Sequence, residues 1–227
     1  MSSAGRGATS VTVQSGDTID LRGMPLKYGG LDRAINAEQR KALDAFETKH
    51  LKSKVEYALM LGADGEELYT KRGGKGSVKF SIPIANKSDI ITHNHPRSGN
   101  EAGLLGGTFS QADINAFTHT NVKTMRASAA EGAYSITKSA NFNSSGLRVH
   151  AMRVQDSASK QYRETVKKAH DREMAAATSG KKTVAEANAA YQAAKTSAFN
   201  QKLVTLHNGF IEGQKKYGYT YTLERRK

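Results

Sequence analysis

Short stretches of alternating apolar and polar residues occupy much of the chain before residue 140, and this period of two predicts β-strands. The segments VEYALML and ELYTKRG flank an Asp-Gly turn, so they predict a β-hairpin over residues 55–73. Further strands are predicted for the segments SVKFSIPIA (77–85), DIITHNHP (89–96), VKTMRASAA (122–130) and GAYSITK (132–138).

Helical periodicity appears in two places within the same region. Apolar residues three or four positions apart predict a helix from about Asn36 to Leu51. The segment TFSQADINAFTHT predicts a second helix with a clear start, because Ser110 can cap it and Phe109 and Ile114 have the spacing of a hydrophobic staple.

The last third of the chain has a different pattern. From about Asp156 the composition shifts to Ala, Lys, Glu and Gln, and apolar residues recur at helical spacing on both sides of the break TSGKK. This pattern predicts two long helices in a hairpin, followed by a last strand at GYTYT. The sequence therefore predicts an α+β fold with a mixed β-sheet flanked by helices. It also predicts a loosely packed segment over 1–35, a central domain over 36–150 and a basic helical hairpin over 151–227.

Composition narrows the function classes. The 227 residues include no cysteine, which excludes disulfides and thiolate metal sites. There is no apolar run near 18 residues and no apolar core of a signal peptide, so we expect a protein without a membrane partner, in the cytoplasm or in a virion. The net charge is +13, of which +8 (15 basic minus 7 acidic residues) lies in residues 151–227, and this surplus favours contact with nucleic acid, anionic surfaces or acidic partners.

The segment ITHNHP contains the most distinctive chemistry. Residues two positions apart on a strand point to the same face, so His93 and His95 can converge on one ion. Zinc accepts imidazole nitrogen and prefers four ligands, which leaves two places to fill. The candidate third ligand is Asp113, in the first turn of the helix that follows, and water would take the fourth place.

A zinc-bound water needs a base to accept its proton, and a carboxylate on an adjacent strand would serve. Glu56, at the start of VEYALML, fits this role. Glu66 and Glu67 also precede the histidines, but they follow an Asp-Gly turn, where a solvated position is expected. Ser110, near the candidate ligand Asp113, is placed to stabilise an oxyanion.

Taken together, Glu56, the HNHP segment at 93–96 and the Ser-x-x-Asp at 110–113 resemble the JAMM motif of the JAB/MPN metalloprotease superfamily. The resemblance covers roughly residues 50–140. It implies a β-sheet flanked by helices, zinc on two histidines and one aspartate, a glutamate base and a serine that steadies the tetrahedral intermediate.

The motif HNHP followed by FSxxDI is most similar to the bacterial and phage branches of this superfamily. These branches include RadC-like domains and the C-terminal JAB domains of phage MuF-like proteins. The resemblance implies a zinc metallopeptidase or isopeptidase acting on a protein or peptide substrate. A ubiquitin-like tail, a peptidoglycan or amino-acid conjugate and a phage structural protein are all open as substrates. Thirteen residues, 97–109, separate HNHP from Ser110, which is more than the family usually has, and the surplus is a glycine-rich stretch.

Two other functions remain open from the sequence. The charge and the helical hairpin also suit a virion or DNA-associated protein in which the JAB fold is structural, with nucleic acid or a phage capsid or head protein as partner. A toxin or effector delivered into another cell is a third hypothesis. The letters HNH also occur in the name of a nuclease class, but those enzymes distribute their site residues over a hairpin and a helix.

Overall fold

The computed structural model describes residues 34–96 and 107–224, together with the backbone of two short strands, β1 (Thr18–Asp20) and β2 (Pro25–Lys27), which pair with each other in antiparallel fashion. Most of the predicted N-terminal segment 1–35 and most of the glycine-rich stretch lie outside the described residues. No helix in the described ranges is long and apolar enough to cross a membrane.

Six strands of the described chain form one mixed sheet. They are β3 (Tyr57–Leu61), β4 (Glu67–Arg72), β5 (Ile90–Asn94), β6 (Thr124–Ser128), β7 (Ala133–Lys138) and β8 (Tyr219–Glu224). Their spatial order is β4-β3-β5-β6-β7-β8, with β5 and β6 parallel and all other neighbours antiparallel. The predicted α+β class, with a mixed sheet and flanking helices, is confirmed.

Five helices complete the described part of the fold. They are α1 (Ala37–His50), α2 (Ile82–Ala85), α3 (Gln111–His119), α4 (Ser144–Thr178) and α5 (Val184–Tyr217). The predicted C-terminal pair of long helices is present as α4 and α5, although α4 begins twelve residues before the change in composition at Asp156. The predicted boundary at residue 150 therefore falls inside α4.

The prediction of a strand over 77–85 is wrong. Residues 77–81 pair with no strand of the sheet, and residues 82–85 form the short helix α2. Pro83 accounts for part of this result, because proline lacks the N–H that a sheet needs and fits the first turn of a helix, where that N–H has no partner. Phe80 and Ile84 pack against the core from outside the sheet.

Alternation along the strands divides the core into two layers. Met60 and Ile91 share a large cluster with apolar residues of α3, α4 and α5, whereas Leu59 and Ile90 share a smaller one with α1. Each face of the sheet is thus covered by helices, as the amphipathic pattern of the strands requires. The last strand, β8, pairs with β7, so the chain returns to the central sheet after α5.

Candidate metal centre

The site lies where the parallel connection from β5 to β6 begins. Strand β5 ends at Asn94, and α3 starts at Gln111 beside the same end of the sheet. The carboxyl end of a strand and the amino end of the following helix are brought together by such a connection, and their side chains can share one crevice.

His93, His95 and Asp113 meet in this crevice. Each offers one ligand atom, and the three atoms lie within 4.8 Å of one another. The Nε2 atoms of the two histidines are 3.0 Å apart, and the His93 Nε2 atom is 3.5 Å from the Asp113 Oδ1 atom. Two ligands at tetrahedral angles on zinc, with bonds of about 2.0–2.1 Å, would be roughly 3.3 Å apart. The arrangement could therefore hold a metal ion.

The capping box of α3 explains how Asp113 is oriented. The Ser110 backbone N–H and side-chain hydroxyl both donate to the Asp113 Oδ2 atom at 2.7 Å, and the Asp113 N–H donates back to the serine oxygen at 3.2 Å. One carboxylate oxygen is thus used by the cap while the other faces His93. The predicted cap is confirmed, and Phe109 and Ile114 are both fully buried in the core beside it.

The hydrogen bond of His95 sets its tautomer. Its Nδ1 atom lies 2.9 Å from the carbonyl oxygen of Gly107, which can only accept, so Nδ1 carries a proton, and in the neutral ring the lone pair is on Nε2. Metal-binding histidines commonly donate their second N–H in this way, which fixes the orientation of the ring.

Gly107 is itself held by Glu131, a residue that the sequence analysis did not single out. The Gly107 N–H donates to the Glu131 Oε1 atom at 2.8 Å, and that oxygen also accepts from the Tyr134 hydroxyl at 2.7 Å. Gly107 has a φ of +84°, and a Cβ atom there would lie 2.8 Å from a methyl carbon of Leu203. Glycine is favoured at this position because other residues rarely adopt such a φ, and the carbonyl of Gly107 there reaches His95.

Burial keeps His93 ready to bind a cation. Its side chain is 2% exposed, and this desolvation lowers the pKa of His93 to about 4, while Asp113 acts in the opposite direction. Among the described residues, no group forms a hydrogen bond with its Nδ1 atom. Burial alone would raise the pKa of Asp113, but His93, His95 and the Ser110 hydrogen bonds together lower it. Near neutral pH His93 is therefore a neutral imidazole and Asp113 an ionised carboxylate, the forms that bind metals.

Glu56 lies on the same face of the sheet as His93 and His95. Ala58 and His93 are the last pair of the β3–β5 ladder, and Glu56 and His95 each lie two residues beyond that pair, on the same side of the alternation. Directly opposite residues in such a pair project from the same face of the sheet. Burial raises the pKa of Glu56 above its ordinary value, and of the two nearby site residues Asp113 raises it further while His95 lowers it.

Glu66 and Glu67 occupy a different place. Both are exposed at the β3–β4 turn, beyond the end of β3 that is opposite to Glu56, and the Glu67 carboxylate accepts from the Thr70 hydroxyl. The structure thus brings Glu56 together with the other predicted site residues and leaves these two glutamates in solvent.

Comparisons with protein-family models, curated proteins and solved structures find no significant match to this chain.

Proposed function

We propose that this protein is a zinc-dependent hydrolase of the JAB/MPN type that cleaves a peptide or isopeptide amide bond. The observation that carries the proposal is the convergence of His93, His95 and Asp113 within 4.8 Å, with Glu56 close enough for His95 and Asp113 to act on its pKa. Two imidazoles and one carboxylate with a fourth position open is a ligand pattern of catalytic zinc sites.

A zinc ion bound there would supply Lewis acidity and lower the pKa of a water molecule to near 7. Glu56 accepts a proton from the attacking water as the new carbon–oxygen bond forms. It then passes that proton to the amide nitrogen as the carbon–nitrogen bond breaks, giving a carboxylic acid and an amine. The raised pKa of Glu56 suits this exchange, because a stronger base accepts the proton more readily.

Ser110 has a double role in this proposal. The Ser110 hydroxyl donates its hydrogen bond to Asp113. To stabilise an oxyanion, the hydroxyl must rotate and donate to the substrate instead. Asp113 stays in place during the turn, because the Ser110 backbone N–H donates to the same carboxylate oxygen. The cap and the reaction can therefore share one residue.

The decisive variant for the proposed function is Glu56→Gln. We expect it to bind zinc with unchanged stoichiometry and to lose at least about 100-fold in kcat, because glutamine fills the same space but cannot accept the proton. The assay uses zinc-loaded protein with a panel of fluorogenic peptide amides and ε-lysyl isopeptides. Glu67→Gln is the matched control and should retain activity. Equal turnover by the wild type and Glu56→Gln would show that Glu56 is not the general base.

A second candidate function, DNA or virion association with a structural role for the sheet domain, is favoured by the charge of the hairpin. Arg153, Lys160 and Lys167 recur every seven residues, so they lie along one side of α4, and all three are exposed. The first two have no ion-pair partner within the described chain.

If the protein acts through this surface and each of the three cations neutralises one phosphate, its affinity for a duplex DNA oligonucleotide will fall roughly 40-fold between 50 and 200 mM salt. Charge reversal at Arg153 and Lys160 will weaken binding, whereas Glu56→Gln will leave it unchanged. Fluorescence anisotropy measures both effects. Binding that does not respond to salt would exclude this candidate.

A further inference from the structure

Asn94 lies between the two histidines and faces the opposite side of the sheet. Its side chain is 1% exposed and reaches the last turn of α1, where its Nδ2 atom is 3.3 Å from the carbonyl oxygen of His50. A buried amide requires hydrogen-bond partners, and the partners of this one are all backbone atoms.

The remaining contacts of Asn94 are with the residues on either side of Glu56. The Tyr57 N–H donates to the Asn94 Oδ1 atom at 2.6 Å, and the Asn94 Nδ2 atom donates to the carbonyl oxygen of Val55 at 3.1 Å. Val55 and Tyr57 are the two sequence neighbours of Glu56. One side chain therefore fixes the backbone on both sides of the glutamate.

Strand pairing shows why these two hydrogen bonds are needed. The pairing of β3 with β5 ends at Ala58 and His93, so β5 provides no ladder partner for residues 55–57. On the other side, the Glu56 N–H donates to Gly74 and its carbonyl accepts from Gly73, at 2.8 and 2.7 Å. The Asn94 amide takes the place of the missing ladder on the β5 side, where the histidines are.

We infer that Asn94 is a positioning residue that holds Glu56 close to His95, and this role rests on the proposed function of Glu56 as the base. Asparagine suits the role because its amide supplies an acceptor for Tyr57 and donors for Val55 and His50. An aspartate would keep the acceptor but would face two carbonyl oxygens with a negative charge. A leucine would lose every contact.

The test compares Asn94→Leu with Gln39→Leu by NMR. Gln39 is a matched control, because its buried amide accepts from the Asn36 N–H and donates to the Gly62 carbonyl and the Asp89 carboxylate, all at the far end of β3. In Asn94→Leu we expect hydrogen exchange at the Tyr57 amide to be about tenfold faster or more, with Leu59 unchanged. The Gln39→Leu variant should leave Tyr57 protected.

A second readout follows Glu56 itself. Addition of Zn²⁺ should shift the carboxyl carbon resonance of Glu56 in the wild type and in Gln39→Leu, and the shift should be much smaller in Asn94→Leu. On any amide of the panel that is hydrolysed, kcat should fall roughly 10- to 100-fold with KM within about twofold. Asn94→Asp, which keeps the acceptor, should retain the protection of Tyr57. Asn94→Ala, which lacks the acceptor, serves in place of Asn94→Leu if the leucine variant does not fold.

Exchange at Tyr57 as slow as in the wild type, in Asn94→Leu or in Asn94→Ala, would overturn the inference. So would a Glu56 zinc response equal to that of the wild type. Failure of the wild type to bind Zn²⁺ would instead refute the proposed function, and the exchange at Tyr57 would still decide whether Asn94 holds this segment.

Discussion

Replacing both His93 and His95 by alanine will weaken zinc binding by more than about 100-fold, since the loss of even an outer partner of a ligand typically costs 10- to 100-fold. The physical reason is that the two imidazoles provide two of the three ligand atoms in the cluster, and Asp113 alone is an exchangeable oxygen ligand. Isothermal titration with Zn²⁺ at pH 7 measures the loss.

The matched control for this experiment is the double variant His119→Ala/His170→Ala, which removes two exposed histidines outside the cluster. It should bind zinc as tightly as the wild type. If the two double variants bind zinc equally well, the ion does not sit between β5 and α3.

The second large effect concerns stability. Arg126 on β6 is 2% exposed and is paired with Glu47 on α1 and with Glu224 on β8, the latter at 2.9 Å. Arg40 on α1 also binds Glu224 at 2.9 Å. These ion pairs attach α1 to the sheet and connect the last strand to the rest of the domain.

We expect Arg126→Met to lower the free energy of unfolding by roughly 3–5 kcal/mol, because removal of one partner leaves the carboxylate of Glu47 buried without its cation. Urea unfolding followed by circular dichroism measures the change. The control is Lys167→Met, which removes an exposed pair with Asp171 and should cost less than about 1 kcal/mol. A loss below about 1 kcal/mol for Arg126→Met would show that water reaches Glu47.

Local sequence pattern predicted most elements of the fold, because their apolar residues follow the period of a helix or strand. It failed at 77–85, where Phe80 and Ile84 alternate as in a strand but pack on the core from a loop and a short helix. The order of the strands in the sheet could not be predicted from local periodicity. The pairing of β7 with β8, for example, joins strands separated by both long helices, and local period carries no information about distant partners.

The candidate site was predictable for a related reason. The spacing of His93 and His95 places them on one face of any strand, and the cap signal places Asp113 at a helix start. Glu56 required a guess about strand pairing, because its place two residues beyond the Ala58–His93 pair depends on how β3 and β5 align.

Residues that act through backbone atoms gave no such signal. Asn94 and Glu131 have ordinary polar side chains in the sequence, and their contacts with residues 55–57 and Gly107 exist only in the folded chain. The same holds for Arg126, which sequence alone would place in solvent as readily as in a buried ion pair.

The most direct test of the metal centre is anomalous X-ray diffraction from crystals grown with zinc, with data collected on both sides of the zinc absorption edge. The account predicts one anomalous peak per chain, about 2.0–2.2 Å from the Nε2 atoms of His93 and His95 and from the Oδ1 atom of Asp113. A zinc peak bound by other residues, or no peak in crystals where these three side chains are ordered, would contradict it.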